Sequence, residues 1–421
     1  MTRRGPSRNE SGEDFHASLF RRLSRRIGPV FARLNEENLP AWVVGGALRD
    51  LLLGRPLRDV DLAVRASRDQ IGALFPEGVW VGRKVQAFVL SPKAGKKGTT
   101  VQITVFSGSI EEELSRRDFS VNALAMRLSG GVRQEERAPL LLDPFGGVAD
   151  LEAGRLARPC LVRDPFSEDP VRVLRLVRFV ATLGFSVDPE TLELAQRSLE
   201  SLSAVAGERR RTELLALFSG GWLRKLSEVM APGFSGEVLV RAGGFATIPK
   251  ERIEERLPSL LNEVVLHSGR DPLFRVWVFY RGIGTETEAL ARSLPWSRSE
   301  RRRLLRWDRL LRFLKEQREP PWTASERALL MTVDYREKVA RMAERMLLPQ
   351  ERKTFREWKS RAVTALCRPW PEVREALVRG EKSQGFETTA QESMSRETGR
   401  ELGERTVVGP ESPPEEFVGE A

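Results

Sequence analysis

The sequence predicts an α+β protein, in which a small N-terminal head of mixed strands and helices is followed by a long helical remainder. Two patterns support this fold class. Between residues 20 and 150, the short runs AWVV, DVDLAV, QAFVL, TVQITVF and PLLLD are rich in β-branched residues or alternate in polarity, as strands do. After residue 151, apolar residues recur at three- and four-residue spacing, for example in PVRVLRLVRFVATLGF and SERRRLLRWDRLLRFLKEQ, which indicates helices.

Charge and composition narrow the class of protein. The chain of 421 residues has a net charge of +10, and its last 41 residues hold ten Glu against four Lys and Arg, so the remainder is strongly basic. Such a balance favours nucleic acid as a partner, although exposed arginine-rich helix faces explain it equally well. We expect no membrane span and no secretory signal. The chain has two cysteines and two histidines, so we expect a cytoplasmic protein without a disulfide framework. Any metal is expected to be a hard cation held by carboxylates.

The first chemical motif is a glycine pair between a strand and a helix. The strand at residues 42–44 leads into Gly45 and Gly46, and ALRDLLL then predicts a helix closed by Gly54. A turn of this kind lets free backbone N–H groups approach a phosphate closely, and Arg49 adds charge to the same place. An ordinary tight turn is the alternative, and for a glycine pair alone it is the more frequent one.

Asp59 and Asp61 change that balance. On a strand, side chains two residues apart face the same way, about 6.5–7 Å apart along the chain. Two carboxylates this close repel unless a cation or water separates them, and a pair of divalent metal ions bridging a triphosphate and an attacking hydroxyl uses both acids. A solvent-facing edge strand is the alternative. The glycine turn together with Asp-x-Asp favours nucleotidyl transfer.

Two further motifs combine arginines with acids. RRDFSVNALAM, at residues 116–126, offers Arg117 for phosphate and Asp118 and Asn122 for ribose hydroxyls, or alternatively a salt-bridged helix start. In EDPVRVLRLVRF, at residues 168–179, Pro170 fits the first helical position, which predicts Asp169 as the N-cap. The arginines that follow at three-residue intervals form a basic stripe beside an apolar one: Arg172, Arg175 and Arg178.

These motifs, with LLDPFGGVADLEAGRL between the last two, occur in an order that resembles the class II tRNA nucleotidyltransferase and bacterial poly(A) polymerase family over residues 25–220. The resemblance implies a polymerase-β-like nucleotidyltransferase head followed by all-helical neck, body and tail domains. The corresponding predicted segments are a disordered lead (1–20), the head (21–150), the neck with the base-recognition motif (151–235), the tRNA-binding body and tail (236–380) and a disordered acidic tail (381–421).

The resemblance also implies the roles of the motif residues. Asp59 and Asp61 are expected to be the catalytic acids that bind Mg²⁺, and Glu168 is expected to organise a protein template that pairs with the base. The expected nucleotide-binding residues are Gly46, Arg49, Arg117, Asp118, Asn122, Asp169, Arg172, Arg175 and Arg178. The expected partners are tRNA, CTP and ATP, with no membrane. The basic face of a later helix, Arg302, Arg306 and Arg309, is expected to be either solvated or in contact with the tRNA backbone.

The sequence departs from the family pattern in the strand TVQITVF and directly after it. Gln102 stands where the pattern has an acid, and Ser107 where it has an arginine. Only nine residues, 107–115, separate this strand from RRDF, where enzymes that build complete CCA ends usually carry a longer flexible loop. The shortened segment predicts an enzyme that adds two cytidines and leaves the final A to a separate enzyme. The alternatives are full CCA addition, a poly(A) polymerase and a non-catalytic RNA-binding protein.

Overall fold

We describe a computed structural model of the 421-residue chain. It describes residues 12–57, 59–82, 87–91, 99–129, 141–159, 164–245, 250–317, 333–346 and 349–366. The chain forms two compact units, Met1–Glu300 and Arg301–Ala421. The predicted acidic tail lies outside the described residues, and the predicted head and neck boundaries stay predictions.

The first unit contains a seven-stranded sheet in the order β3-β4-β5-β2-β1-β6-β7 and a separate pair, β8-β9. In the large sheet, β2 and β5 run parallel and the other pairs are antiparallel. The strands are β1 Ala41–Val44, β2 Val60–Val64, β3 Val79–Val81, β4 Ala87–Leu90, β5 Val101–Val105, β6 Ala125–Ser129, β7 Leu141–Leu142, β8 Arg155–Leu156 and β9 Ser186–Val187. The predicted mixed head is confirmed, and β3 and β6 are additions to it.

Short helices connect and cover the strands of the sheet. The helices of this N-terminal part are α1 Gly12–Glu36, α2 Gly46–Leu52, α3 Arg68–Leu74, α4 Ile110–Ser115 and α5 Gly147–Ala153, with a 3₁₀ turn at Ser120–Asn122. Residues 12–20 were predicted to be a disordered lead, which is wrong, since α1 already begins at Gly12. The helix could not be predicted from its charged first half, because the buried apolar residues Leu23 and Ile27, which are 0% and 1% exposed, come later in the helix.

The remainder of the first unit is helical, as predicted. Its helices are α6 Pro165–Glu168, α7 Val171–Leu183, α8 Pro189–Arg197, α9 Gly207–Phe218, α10 Lys225–Val229, α11 Pro232–Ala242, α12 Lys250–His267, α13 Pro272–Gly282 and α14 Thr287–Ser293, with a 3₁₀ turn at Glu200–Ala204. Helices α7 and α9 pack against each other, and α9 also packs on α13. The apolar side of α7 is fully buried, which fixes the direction of its arginines.

Helix α15, Arg298–Glu316, begins in the first unit and continues into the second, which also contains α16 Val333–Met346 and α17 Pro349–Leu366. Within α15, Leu304, Trp307, Leu311 and Leu314 are buried, as their spacing predicted. The arginines of the predicted basic face, Arg302, Arg306 and Arg309, are exposed. Among the described helices, none has the length and apolar character needed to cross a bilayer.

Candidate active site

The glycine turn after β1 brings together groups from three separate stretches of the chain. Gly45 has φ +74°, in the left-handed region where a side chain is strained. A Cβ atom at Gly45 would lie 3.3 Å from Nη1 of Arg117 and 3.5 Å from Oδ2 of Asp61. The predicted close approach at this turn is therefore occupied by one cationic and one acidic side chain.

Asp61 lies in β2, where it pairs in register with Val44 at the end of β1. Asp59 is exposed and lies one residue before β2. Of the two aspartates that were predicted to share a strand, only Asp61 is therefore within it. Burial raises the pKa of Asp61, and the negative charge of Asp59 raises it further. The positive charges of Arg117 and Arg175 lower it, but the resulting pKa is still above the ordinary value for an aspartate. The two acids are therefore close enough to interact.

Neither Asp59 nor Asp61 has a side-chain hydrogen bond or ion pair with another described residue. Within the described part of the chain, no group of three or more His, Cys, Asp or Glu side chains could hold a metal ion alone. Mg²⁺ suits this arrangement, because it usually takes one or two carboxylates together with substrate phosphates and water. Burial, with a smaller contribution from the Asp59 charge, disfavours the anionic form of Asp61, and a bound divalent cation would offset both effects.

Gln102 lies directly beside this pair. It is the register partner of Asp61 across the parallel β2–β5 ladder, and its side chain is exposed. Register partners in neighbouring strands face the same side of a sheet. The position where the family pattern has an acid is thus next to the two aspartates, and in this chain it carries a neutral amide.

Asp118 and Asn122 are buried beneath the turn and bonded to each other. Oδ1 of Asp118 accepts from Nδ2 of Asn122 at 2.8 Å and from the backbone N–H of Phe119 at 2.9 Å. Oδ2 accepts from Nε of Arg175 at 2.8 Å. Burial alone would raise the pKa of Asp118, but the Arg175 charge and the bonds from Asn122 and Arg175 outweigh it and hold the pKa well below its usual range. Asp118 is therefore an anion buried among donors.

Asn122 also fixes the side chain of Arg49, a residue of α2. Nη1 of Arg49 donates to Oδ1 of Asn122 at 2.7 Å, and Nε donates to Oδ1 of Asp50 at 3.0 Å. The Arg49 guanidinium lies 5.1 Å from the centre of the Phe179 ring, at a distance typical of cation–π contacts. A Cβ atom at Gly46 would lie 3.3 Å from Nη2 of Arg49, so the second glycine leaves room for this side chain.

The start of α7 differs from the prediction. Pro170, with φ −59° and ψ −20°, is itself the N-cap, no side chain caps the α7 N-terminus, and Asp169 is the C-cap of the preceding α6. The carboxylate of Asp169 instead accepts both ends of the Arg209 fork, Nη1 at 2.9 Å and Nη2 at 2.6 Å. The predicted capping role of Asp169 is thus wrong, because a partner from α9 takes its oxygens.

Arg172 is fixed by backbone oxygens on two sides. It donates to the carbonyl of Pro165 at 3.1 Å and to that of Arg116 at 2.5 Å. The Glu168 carboxylate lies 3.6 Å from Nη1 of Arg172. The predicted organiser Glu168 is therefore beside the residue that it was expected to orient.

Arg175 and Arg178 share one acid that the sequence analysis did not single out. Glu213 of α9 lies 3.2 Å from Nη1 of Arg175 and 2.6 Å from Nε of Arg178. Burial lowers the pKa of Arg178 to about 10, helped by the nearby charge of Arg175, whereas Asp118 and Glu213 more than offset burial and raise the pKa of Arg175. The one available signal was GERRRTELLAL, where Arg209 and Glu213 stand four residues apart on a helix.

The short segment after β5 is ordered by its own sequence. Ser109 and Glu112 form a reciprocal capping box at the start of α4, and Ile110 and Leu114 of this helix are buried. They join a cluster on the sheet face that also contains Trp42, Val44, Ala63, Ala123 and Ala125. At the end of α4, Glu113 lies 3.4 Å from Nη2 of Arg117. Helix α4 thus connects the sheet directly to the residue beside Gly45.

Comparison with known proteins first defines the class of the head. The Poly A polymerase head domain family matches residues 41–100 and 93–157, the part of the chain that holds the glycine turn, both aspartates and the RRDF motif. The head is therefore similar to a class of nucleotidyltransferase head domains.

The family follows from longer matches. The CCA-adding enzyme of Geobacillus thermodenitrificans is 32% identical over 293 residues, which are 63% of this chain and 69% of that protein. The CC-adding tRNA nucleotidyltransferase of Shouchella clausii is 38% identical over 188 residues, 44% of this chain and 46% of that protein. The chain belongs to the tRNA nucleotidyltransferase family that includes CCA-adding and CC-adding enzymes. The fold agrees with the Bacillus stearothermophilus CCA-adding enzyme in complex with CTP, with a TM-score of 0.58, 24% identity and coverage of 90% of this chain and 98% of that one.

Proposed function

We propose that this enzyme transfers cytidylyl groups from CTP to the 3′ end of tRNA, without a nucleic-acid template and with Mg²⁺ as cofactor. The observation that supports this most is the meeting of Gly45, Asp61 and Arg117 at one turn, with Asp59 close by. A bare backbone, a cation and two unpaired acids are what a triphosphate and its metal ions require.

Asp59 and Asp61 are the proposed metal ligands and catalytic acids. These two carboxylates would hold the Mg²⁺, which would supply positive charge to activate the attacking 3′-hydroxyl and to stabilise the leaving pyrophosphate. Asp61 is the less exposed of the two, and its position is fixed by the pairing of β1 with β2. Asp59 is exposed and lies directly before β2.

The nucleotide contacts are proposed in two groups. Gly46, Arg49 and Arg117 hold the phosphates, because they border the turn beside Asp61. Asp118 and Asn122 support them from below: Asn122 holds Arg49, and Asp118 balances the charge of Arg175. Their predicted ribose contact stays a prediction, and so do the direct nucleotide contacts of Arg175 and Arg178.

Asp169 and Arg172 are the proposed base-reading pair. A carboxylate has about four lone-pair positions and a guanidinium has five N–H donors. Arg209 uses two acceptor positions of Asp169, and two backbone carbonyls use donors of Arg172, so both side chains can still bond to a base. The amino group of cytosine or adenine donates to Asp169, whereas uracil presents an oxygen there, so the remaining acceptor positions of Asp169 face a second acceptor and the base is rejected.

We further propose that the chain adds CC and that a separate enzyme supplies the final A. The segment between β5 and RRDF holds the capped helix α4, anchored on the sheet by Ile110 and Leu114, in place of a long flexible loop. A helix held at both its cap and its apolar face is poorly suited to changing the site from CTP to ATP. The reaction on tRNA implies a cytoplasmic location.

The test is to incubate the purified protein with tRNA lacking its CCA end, first with CTP and then with CTP and ATP, and to sequence the 3′ ends. We expect two added cytidines in both reactions and none with Asp59→Ala, which should still bind tRNA. A terminal A after CC would contradict the CC-only proposal but support the family activity. Incorporation of ATP alone onto unrelated RNA would indicate a poly(A) polymerase, and tRNA binding without incorporation would indicate a non-catalytic RNA-binding protein.

A further inference from the structure

A cavity of about 280 Å³ lies between α1 and the loop that follows α2, outside the set of residues proposed to contact the nucleotide. Arg22 and Arg26 of α1 line it together with Leu51, Pro56 and Leu57. Ligand pockets in proteins usually begin at about 300 Å³, so the cavity has room for one small polar group and an adjoining ring rather than for a large ligand.

The two arginines are a pair of like charges without a counter-charge from the described chain. Arg22 and Arg26 are four residues apart, on the same face of α1, and both are exposed. No described acid pairs with either of them, whereas Arg33 of the same helix lies 2.7 Å from Glu77. Like charges at this spacing destabilise a helix slightly, and an anion between them removes that cost.

The other walls of the cavity are apolar. Leu51 is buried at 3% exposure, Leu57 is half-buried and Pro56 is exposed. A free inorganic anion gains nothing from such walls, but the sugar or base next to a phosphodiester does. Two unpaired guanidinium groups over an apolar floor therefore fit one unit of a polynucleotide.

The cavity is separate from the proposed triphosphate site but connected to it through α2. Gly46 begins this seven-residue helix, and Arg49 and Leu51 belong to its last turn. At 1.5 Å per residue, Gly46 and Leu51 are about 7.5 Å apart along the helix axis. The same loop continues from Leu57 to Asp59, two residues later.

We infer that this cavity binds a phosphate and the adjoining sugar of the RNA backbone, with Arg22 and Arg26 holding the phosphate. The inference rests on the proposed function, since it gives the RNA substrate a contact on the head outside the catalytic site. Free CTP is not the expected occupant, because its triphosphate is proposed to bind at the glycine turn that precedes α2.

The experiment uses the full chain with Arg22→Ala and Arg26→Ala together. Neither side chain has a described partner and alanine favours helices, so the variant should keep the wild-type melting temperature. We expect the KM for tRNA lacking its CCA end to rise about tenfold, with kcat and the KM for CTP unchanged. The slope of log Kd against log salt should fall in magnitude by about one, the value for one lost phosphate contact.

The matched control removes two positive charges elsewhere, with Arg197→Ala and Arg224→Ala, both exposed residues of the helical part. A tRNA KM and salt slope equal to those of this control would overturn the inference, and so would a rise in the KM for CTP alone, which would indicate a free nucleotide as the occupant. Reversal of both charges, with Arg22→Glu and Arg26→Glu, should weaken tRNA binding further. If the wild-type protein neither bound tRNA nor added cytidine, the proposed function itself would fail, which is a distinguishable result.

Discussion

Asp61 in the head and Glu213 in the helical part are acids of similar accessibility with opposite surroundings. Asp61 has no side-chain partner among the described residues, and its pKa is raised. Glu213 lies within 3.2 Å of Arg175 and 2.6 Å of Arg178. The head positions its acid by backbone register and leaves the oxygens unused, whereas the helical part positions its charged residues by pairing them. An acid that must bind a metal is kept without partners, and a side chain that must keep one orientation is held by them.

The sharpest test of this difference is Asp61→Asn. We expect kcat for CTP incorporation to fall by about 10³-fold or more, equivalent to about 4 kcal/mol, because the amide removes a negative metal ligand. The melting temperature should stay the same or rise, since a carboxylate that burial disfavours is replaced by a neutral group. The exposed Asp69→Asn in α3 is the control and should leave kcat unchanged. A loss of stability in Asp61→Asn, or a kcat within tenfold of wild type, would remove the distinction.

In the helical part, Glu213→Gln should act mainly on stability. Removing the acid leaves Arg178 without a described acidic partner and Arg175 with Asp118 alone. We expect the free energy of unfolding to fall by about 3 kcal/mol, a typical cost of breaking a buried ion pair, as measured by urea unfolding. The control is Glu193→Gln, whose exposed pair with Arg197 should contribute less than about 1 kcal/mol. Equal losses in the two variants would mean that the buried network is no stronger than a surface pair.

The smallest expected effect concerns Gln102, the neutral neighbour of the unpaired acids. Gln102→Glu adds a third carboxylate beside Asp61, so the Mg²⁺ concentration for half-maximal activity should fall by about two- to fivefold, as the added charge attracts the cation. Thr104→Glu is the control, because its register partner is Ala63, one pleat further along the same face. The Mg²⁺ requirement is measured by titrating initial rates. An unchanged value would show that the third position does not face the metal.

The sequence predicted that the glycine turn and the two aspartates lie near one another in the head, because the signals for this arrangement are local. Gly45, Gly46, Asp59 and Asp61 lie within 17 residues, and a strand-turn-helix pattern is enough to bring them together. The strand β3 escaped prediction because its three residues are a short edge, with Val79 and Val81 exposed at 63% and 47%. Strand β6 follows RRDFSVN without a break in pattern, so its start could not be separated from the motif.

The side-chain partners of Asp169 and Arg175 could not be predicted from the sequence, because those partners are distant along the chain. Arg209 and Glu213 meet Asp169 and Arg175 across 40 and 38 residues. A run such as ERRRTE has the composition of a solvated helix face, and only the packing of α9 on α7 turns it inward. The same distance along the chain explains the wrong prediction at Asp169. Local capping rules favoured an N-cap there, but the guanidinium of Arg209 from another helix binds the carboxylate instead.

The bond between Asp118 and Arg175 joins a carboxylate from the head stretch of the chain to a guanidinium from the helical stretch, 57 residues away. Without Arg175, the buried Asp118 carboxylate would have no cationic partner among the described residues, whereas Arg175 would still be paired with Glu213. A chimera of two relatives that is joined at residue 150 would therefore separate Asp118 from Arg175. The head would then contain a buried carboxylate whose arginine partner comes from the other protein. Chimeras that exchange RRDFSVN together with α7 and α9 keep Asp118, Arg175 and Glu213 with their partners, so the segment that has to be exchanged as one is larger than the sheet.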